Sequence, residues 1–341
     1  MNLISIFKKK NKKTLFTTPS HNGNLCIYHK FYQWYKKDIS EVDAYNPQKA
    51  LAEAELKAAN IYETKYTKFL TNGSTSGIIA AIIASKVKNI LIWDKAHPCH
   101  RNGAELAGLN IIEYALPFDD SLGLYKAISN SQVSDLLKKH ASGDTALLIT
   151  SPTYEGFVVD VKNISKICHQ NNVKLIVDEA HGALYPFSDE LPISAVRYAD
   201  YTIQSLHKTA GGINPTALLH SNDNNPDEAL NKINTTSPSY PMLATIEANI
   251  TFLNSANGKK KLHELINNIK ALNIVKLNDD ITKILLKHNK YNGYELSEKL
   301  FEEYNIEDER TNEKSTMLLC GLGTTKRMLQ KLDKALHNLG F

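Results

Sequence analysis

The chain predicts an α/β fold: a mostly parallel sheet with helices on both faces, followed by a small C-terminal α/β unit. Three observations predict it. Short apolar strands alternate with helix-length periodic segments, which implies parallel strands joined by crossovers. Polar runs follow several of those strands, at the end of the sheet where such folds gather ligands. From about residue 251 a second, shorter alternation begins. These changes divide the chain into an N-terminal arm (1–45), a large domain (46–250) and a small domain (251–341).

Taken in order, residues 14–45 lack periodicity, and their most structured run is Thr17-Thr18-Pro19-Ser20-His21-Asn22-Gly23. Ala50, Leu51, Ala54, Leu56 and Ala58 recur at helical spacing and predict a helix over 47–62. A short strand at 68–70 runs through Thr71-Asn72-Gly73-Ser74-Thr75-Ser76-Gly77 into an apolar helix at 78–85. Strands at 89–93, 110–114, 146–150, 174–177 and 200–204 alternate with helices at 102–108, 131–140 and 161–170. Leu243, Ile246, Ile250 and Leu253 share one stripe and predict a long helix over 241–271. The remainder reads as a β-α-β-α unit: strand 281–286, helix 294–304, strand 315–320 and helix 325–339.

Composition narrows the class. With 42% hydrophobic residues a sizeable core is available. Forty basic and 36 acidic side chains give a net charge of +4, too modest for a nucleic-acid partner. The one dense basic cluster, Lys8, Lys9, Lys10, Lys12 and Lys13, follows seven residues too short for a secretory signal, and no run has membrane-spanning length. Cys26, Cys99, Cys168 and Cys320 form no CxxC pair or metal-ligand cluster, so no metal site is expected. They read as reduced thiols of a cytoplasmic protein.

Three motifs carry chemistry. The run Thr71 to Gly77 sets a glycine and hydroxyl residues at a helix N-terminus, where free N–H groups and the helix dipole favour an anion. It lacks the lysine of a nucleoside-triphosphate loop, so a phosphate monoester is expected. Next, Ile176-Val177-Asp178-Glu179-Ala180-His181-Gly182 runs a strand directly into acids and a histidine. A carboxylate at a buried strand end requires a cationic partner, and a protonated pyridine nitrogen would serve. Finally, Ser205-Leu206-His207-Lys208-Thr209 sets a lysine beside a histidine and hydroxyls after a strand, as a Schiff-base lysine requires. A phosphate cup, a pyridine-nitrogen acid and an amine, in that order, are the parts that bind pyridoxal 5′-phosphate (PLP).

At these residues the chain resembles the bacterial ornithine/lysine/arginine decarboxylases, PLP enzymes of the aspartate-aminotransferase-like fold. The matching runs are 18–23, 70–77, 151–156 (Ser-Pro-Thr-Tyr-Glu-Gly), 178–182, 204–208 and 235–240 (Thr-Thr-Ser-Pro-Ser-Tyr), with weaker likeness at 293–295 and 320–323. The resemblance implies that Lys208 holds the cofactor and Asp178 pairs with its ring nitrogen. His97 matches the histidine that stacks on the ring, although its flanks depart from the family pattern and His100 competes for the role. Gly73, Ser74, Thr75 and Ser76 match the phosphate loop, with Ser205 and His207 as further contacts. His181 is expected near the phenolic oxygen or the substrate carboxylate. Lys208 or His207 is the expected proton donor. Thr236 and Ser237 match a segment that reaches the neighbouring subunit's cofactor, which implies a homodimer with shared sites.

The implied activity is decarboxylation of lysine, ornithine or arginine. Transamination, aldol cleavage, racemisation and a non-catalytic regulatory role are the alternatives, since one electron sink serves many reactions. The resemblance also implies a further C-terminal domain, and this chain is expected to be a compact form without it. Glu155, Glu302, Glu303 and Asp308 are then the candidates for holding a substrate's distal cation.

Overall fold

The computed structural model describes residues 13–24, 31–36, 38–39 and 46–341. Lys8, Lys9, Lys10 and Lys12 of the basic cluster, and Cys26, lie outside the described residues. The elements run β1 (Thr14–Leu15), α1 (Phe31–Tyr35), α2 (Pro47–Tyr62), β2 (Tyr66–Leu70), α3 (Gly73–Ser85), β3 (Asn89–Trp93), α4 (Pro98–Leu106), β4 (Asn110–Tyr114), β5 (Phe118–Asp119), β6 (Leu124–Tyr125), α5 (Asn130–His140), β7 (Thr145–Thr150), α6 (Val161–Gln170), β8 (Lys174–Asp178), β9 (Tyr201–Ser205), β10 (Ala217–Ser221) and α7 (Asp227–Ile233). Caps explain several starts. The Asn46 side chain accepts from the Lys49 N–H with Pro47 in the first turn, and Ser129 forms a capping box with Gln132.

Seven strands form the central sheet in the order β2-β10-β9-β8-β7-β3-β4. The β9-β8-β7-β3-β4 pairs are parallel, and β10 alone runs against its neighbours β9 and β2. That strand was not expected from the sequence. Both faces of the sheet are covered, which is why the strands read as continuous apolar runs. Ile90, Ile92, Leu148 and Ile176 pack with Ile78 and Ile82 of α3 on one face. Leu91, Leu147, Ile149, Leu175 and Val177 pack with Val133 of α5 and Ile164 of α6 on the other.

Three expectations are corrected. The helix placed at 102–108 begins four residues earlier, at Pro98, because the His97 side chain accepts from the Cys99 N–H and caps it. The long helix over 241–271 is two helices, α8 (Tyr240–Asn254) and α9 (Ala256–Lys270). Ser255 breaks it: its hydroxyl donates to the Phe252 carbonyl at 2.6 Å and accepts from the Gly258 N–H at 3.1 Å. A Cβ on Gly258 would stand 1.9 Å from the Phe252 oxygen, so the corner admits only glycine there.

The third correction concerns the C-terminal unit, whose elements are β11 (Lys283–Leu286), α10 (Gly293–Glu302), β12 (Ile306–Glu307), β13 (Arg310–Thr311), β14 (Thr316–Leu319) and α11 (Lys326–Leu339). Instead of a simple β-α-β-α alternation, β11-β14-β13 form an antiparallel sheet and β12 pairs in parallel with β1. The arm therefore packs on the C-terminal unit. Ser20 continues that contact: its N–H donates to His207 O at 3.0 Å, and its carbonyl accepts from Gly323 N–H at 3.1 Å. A Cβ on Gly321 would stand 2.4 Å from Ser20 Cβ, so the close approach depends on glycine. Among the described residues no helix is long and apolar enough to cross a membrane.

The corner at Ser255 yields a stability prediction. Ser255→Ala should cost about 1 kcal/mol, the usual worth of an N-cap. Gly258→Ala should cost clearly more, because its methyl has no room. Urea unfolding of both variants measures this, and an unchanged midpoint for Gly258→Ala would refute the steric account.

Candidate active site

The parallel strands all point their carboxyl ends at one cavity of about 660 Å³. Gly73, Ser74 and Thr75 line it from the start of α3, Trp93 from the end of β3, and His97 and Cys99 from the start of α4. Thr150 and Asp178 enter from β7 and β8, and His181, His207 and Lys208 from the loops beyond β8 and β9. Arg310 reaches the cavity from β13 of the C-terminal unit.

Asp178 is 5% exposed, and burial pushes its carboxyl up. The His100 hydrogen bond, the charges of His100 and Lys208 and the Ala180 N–H outweigh that and hold it below the usual range. The geometry matches: His100 Nε2 donates to Asp178 Oδ2 at 3.0 Å, and the Ala180 N–H donates to Oδ1 at 3.1 Å. Strand register sets Asp178 beside Thr150 and Ile203, so it stands between the end of β7 and the middle of β9.

Lys208 is partly buried three residues beyond β9, and no carboxylate lies within salt-bridge distance of its amine among the described residues. Burial lowers its pKa, with Asp178 opposing. Its loop is pinned from both sides. His207 Nδ1 donates to the Thr216 carbonyl at 3.1 Å, and the Leu206 N–H also donates to Thr216 O.

The start of α3 has no side-chain cap: Asn72 makes none, Gly73 has a φ of 75°, and Gly73, Ser74 and Thr75 line the cavity. His181 is buried with both ring nitrogens lacking a hydrogen-bond partner among the described residues. Its ring meets Tyr154 edge-on at 4.8 Å. Burial, reinforced by Lys208 and Lys283, holds it neutral well below the ordinary histidine value.

The cavity brings together Gly73, Ser74, Thr75, His97, Asp178, His181, His207 and Lys208. Ser76 is turned away, donating its hydroxyl to Gly73 O at 2.9 Å. Ser205 is fully buried, its hydroxyl unpartnered among the described residues, and is not part of the lining. Thr236 and Ser237 are exposed on the loop before α8, outside the cavity. Of the acidic candidates only Glu155 lines it. Glu302 and Glu303 are exposed at the end of α10, and Asp308 accepts from Ser297, Thr311 and Thr316.

Two contributors stand out only in three dimensions. His100, not His97, touches Asp178; the helix start at Pro98, which a proline after a capping residue signals, was the clue. Arg310 Nη1 lies 3.1 Å from Glu155 Oε1 and its guanidinium lies over the Tyr154 ring. The neighbouring Glu309 accepts from the Tyr154 hydroxyl at 2.6 Å and from the Thr18 N–H at 2.7 Å. No local pattern in the charged run Glu307 to Arg310 marks these long-range contacts. Among the described residues no cluster of three or more histidines, cysteines or acids could hold a metal ion.

Residues 7–291 match the family described as Orn/Lys/Arg decarboxylase, major domain. The chain is 28% identical over 327 residues to the arginine decarboxylase of Halalkalibacterium halodurans, a match covering 87% of this chain and 66% of that one. Its fold is similar to that of lysine decarboxylase A from Pseudomonas aeruginosa, with a TM-score of 0.70 at 17% identity, over 85% of this chain and 50% of that one. It is similar also to a sphingosine-1-phosphate lyase from Burkholderia pseudomallei, with a TM-score of 0.72 at 14% identity, over 98% and 88% of the two chains. The chain thus spans about half the length of that lysine decarboxylase and about two thirds of the arginine decarboxylase. The α/β fold is the expected aspartate-aminotransferase-like one. By the match over most of its length, the chain belongs to the Orn/Lys/Arg decarboxylase family.

Proposed function

We propose that this chain carries the catalytic core of a PLP-dependent decarboxylase that converts a basic amino acid of the lysine, ornithine or arginine class to its amine and carbon dioxide. The observation that carries the reading is one cavity that holds an amine without an ion-paired carboxylate among the described residues, a buried carboxylate and an uncapped helix N-terminus. PLP fits these residues. The N–H groups at Gly73, Ser74 and Thr75 offer donors to its phosphate, Asp178 offers an acceptor to its ring nitrogen, and the orphaned nitrogens of His181 offer polar partners beside them.

When bound, PLP supplies an electron sink for the pair released as the bond from Cα to the carboxylate breaks. This chain's residues set up that event. Lys208 would hold the cofactor through its aldehyde, and burial, which lowers its pKa, enlarges the neutral fraction of the amine that such a link requires. Asp178, held ionised by His100 and Ala180, keeps a proton on the ring nitrogen. His97 would stack on the ring, and His181, held neutral by its burial, would offer a polar partner to the phenolic oxygen or the substrate carboxylate without adding charge. Lys208 or His207 returns the proton to Cα. Glu155, at the wall with Arg310, is the acid on offer to a distal cation.

Thr236 and Ser237, exposed and outside the lining of their own cavity, support a homodimer in which each copy would complete its partner's phosphate site. A basic amino-acid substrate with an amine product would make this an enzyme of amino-acid and polyamine metabolism, acting in the cytoplasm.

The test is a panel of amino acids with carbon dioxide, primary amine and keto acid assayed separately. Carbon dioxide and amine in equal amounts from a basic substrate are expected; keto acid without carbon dioxide refutes decarboxylation. Asp178→Asn should lower kcat by about 10³-fold with a smaller change in KM, since its charge acts on the transition state. His100→Phe should lower kcat less, by about tenfold, because it acts through Asp178.

A further inference from the structure

Beneath the cavity lies a buried ion pair that the proposed chemistry does not use. Lys283, the first residue of β11, has no exposed side-chain surface, and its Nζ lies 2.5 Å from Asp280 Oδ2. Asp280 also accepts from the Tyr185 hydroxyl at 2.8 Å and from the Thr282 N–H and hydroxyl at 2.9 and 2.7 Å. The remaining reach of the ammonium goes to the active-site loop: Lys283 Nζ donates to the His181 carbonyl at 3.4 Å.

The same turn grips a second wall of the cavity. Asn278 Nδ2 donates to Glu155 O at 2.6 Å and to Lys283 O at 2.8 Å. The N–H groups of Asp279 and Asp280 both donate to Gly156 O at 3.0 Å. Gly156, with a φ of 92°, leaves room for this turn: a Cβ there would meet Asn278 at 2.9 Å and Lys283 at 3.1 Å. One turn of the C-terminal unit therefore fixes both the Tyr154–Gly156 and the His181 segments. A pair serving stability alone has no need of this polarity, since buried ion pairs are commonly replaced by apolar residues at little loss. Here the carboxylate end is saturated by Tyr185 and Thr282, and the ammonium's second contact is the backbone carbonyl of His181, a residue that lines the cavity.

We propose that Lys283 is a positioning residue: it holds the His181 backbone against the cofactor site and turns the positive end of a buried ion pair toward Lys208, so setting the protonation of the lysine-linked cofactor. This rests on the reading of Lys208 as the cofactor lysine. The electrostatic directions agree, since Lys283 pulls down both Lys208 and His181. The groups facing Lys208 are known from each side: Asp178 from β8, Cys99 from α4 and Glu309 beside β13 oppose Lys283.

The test compares the PLP-loaded protein with a double variant, Lys283→Met with Asp280→Asn, which removes both charges. Loss of the nearby cation should raise the pH midpoint of the lysine-linked cofactor's visible absorbance by about half a unit or more. It should lower kcat by about tenfold with KM within about twofold. Thermal melting is followed alongside. An unchanged midpoint, with or without lower melting, overturns the proposal and leaves the pair a structural one. Should the double variant fail to fold, Lys283→Gln with Asp280→Asn removes the same two charges and keeps an amide donor in place of the ammonium. An unmoved midpoint in that variant overturns the proposal as well. A parent protein with no visible band under added PLP overturns the cofactor reading itself, and this inference with it.

Discussion

The structure depends on a carboxylate kept ionised where water is scarce. Asp178 sits at the end of the middle strand of the sheet, and a charge there is costly without partners. Its partners come from three separate elements: His100 from the first turn of α4, the Ala180 N–H from the loop after β8, and the charge of Lys208 beyond β9. Each must arrive in register for Asp178 to stay charged. The parallel sheet achieves this because strands in one direction deliver their following loops to one edge. A ligand with a protonated ring nitrogen would add the strong partner that His100 and the backbone only approximate.

Around that charge, parts distant in sequence share one wall. The N-terminal arm pairs with β12 and threads Ser20 between the lysine loop and the Gly321–Gly323 turn. Glu309 ties Thr18 to Tyr154, and Arg310 ties Glu155 to the C-terminal unit. The cavity is thus closed by the large domain and the C-terminal unit together. Separate packing would leave Glu155 buried without its cation, a state that costs more than the ion pair contributes.

The parts set by local pattern were legible in the sequence, and those set by distant contacts were not. Apolar runs such as 146–150 and 174–178 announced the buried strands, and the glycine-hydroxyl run at 71–77 announced a helix start, which lines the cavity. Strand β10 was missed because Ala217 to Ser221 follows the turn-rich Gly211-Gly212-Ile213-Asn214-Pro215 and needs neighbours from two distant strands to form its ladder. The break at Ser255 was written in a capping serine, overridden in the reading by a continuous apolar stripe. Lys208 and Asp178 are singled out by their strand ends, and both line the cavity. His100, Arg310 and Lys283 did not, since each acquires its role from a contact 78, 155 or 102 residues away.

The central claim is that Lys208 is the covalent anchor of the cofactor. Its most direct test is borohydride reduction of the protein incubated with PLP, followed by peptide mass spectrometry. A single reduced pyridoxyl-phosphate adduct on the peptide containing Lys208, absent from Lys208→Ala, is the result this structure predicts. An adduct on Lys283 or a surface lysine with Lys208 unmodified would contradict it.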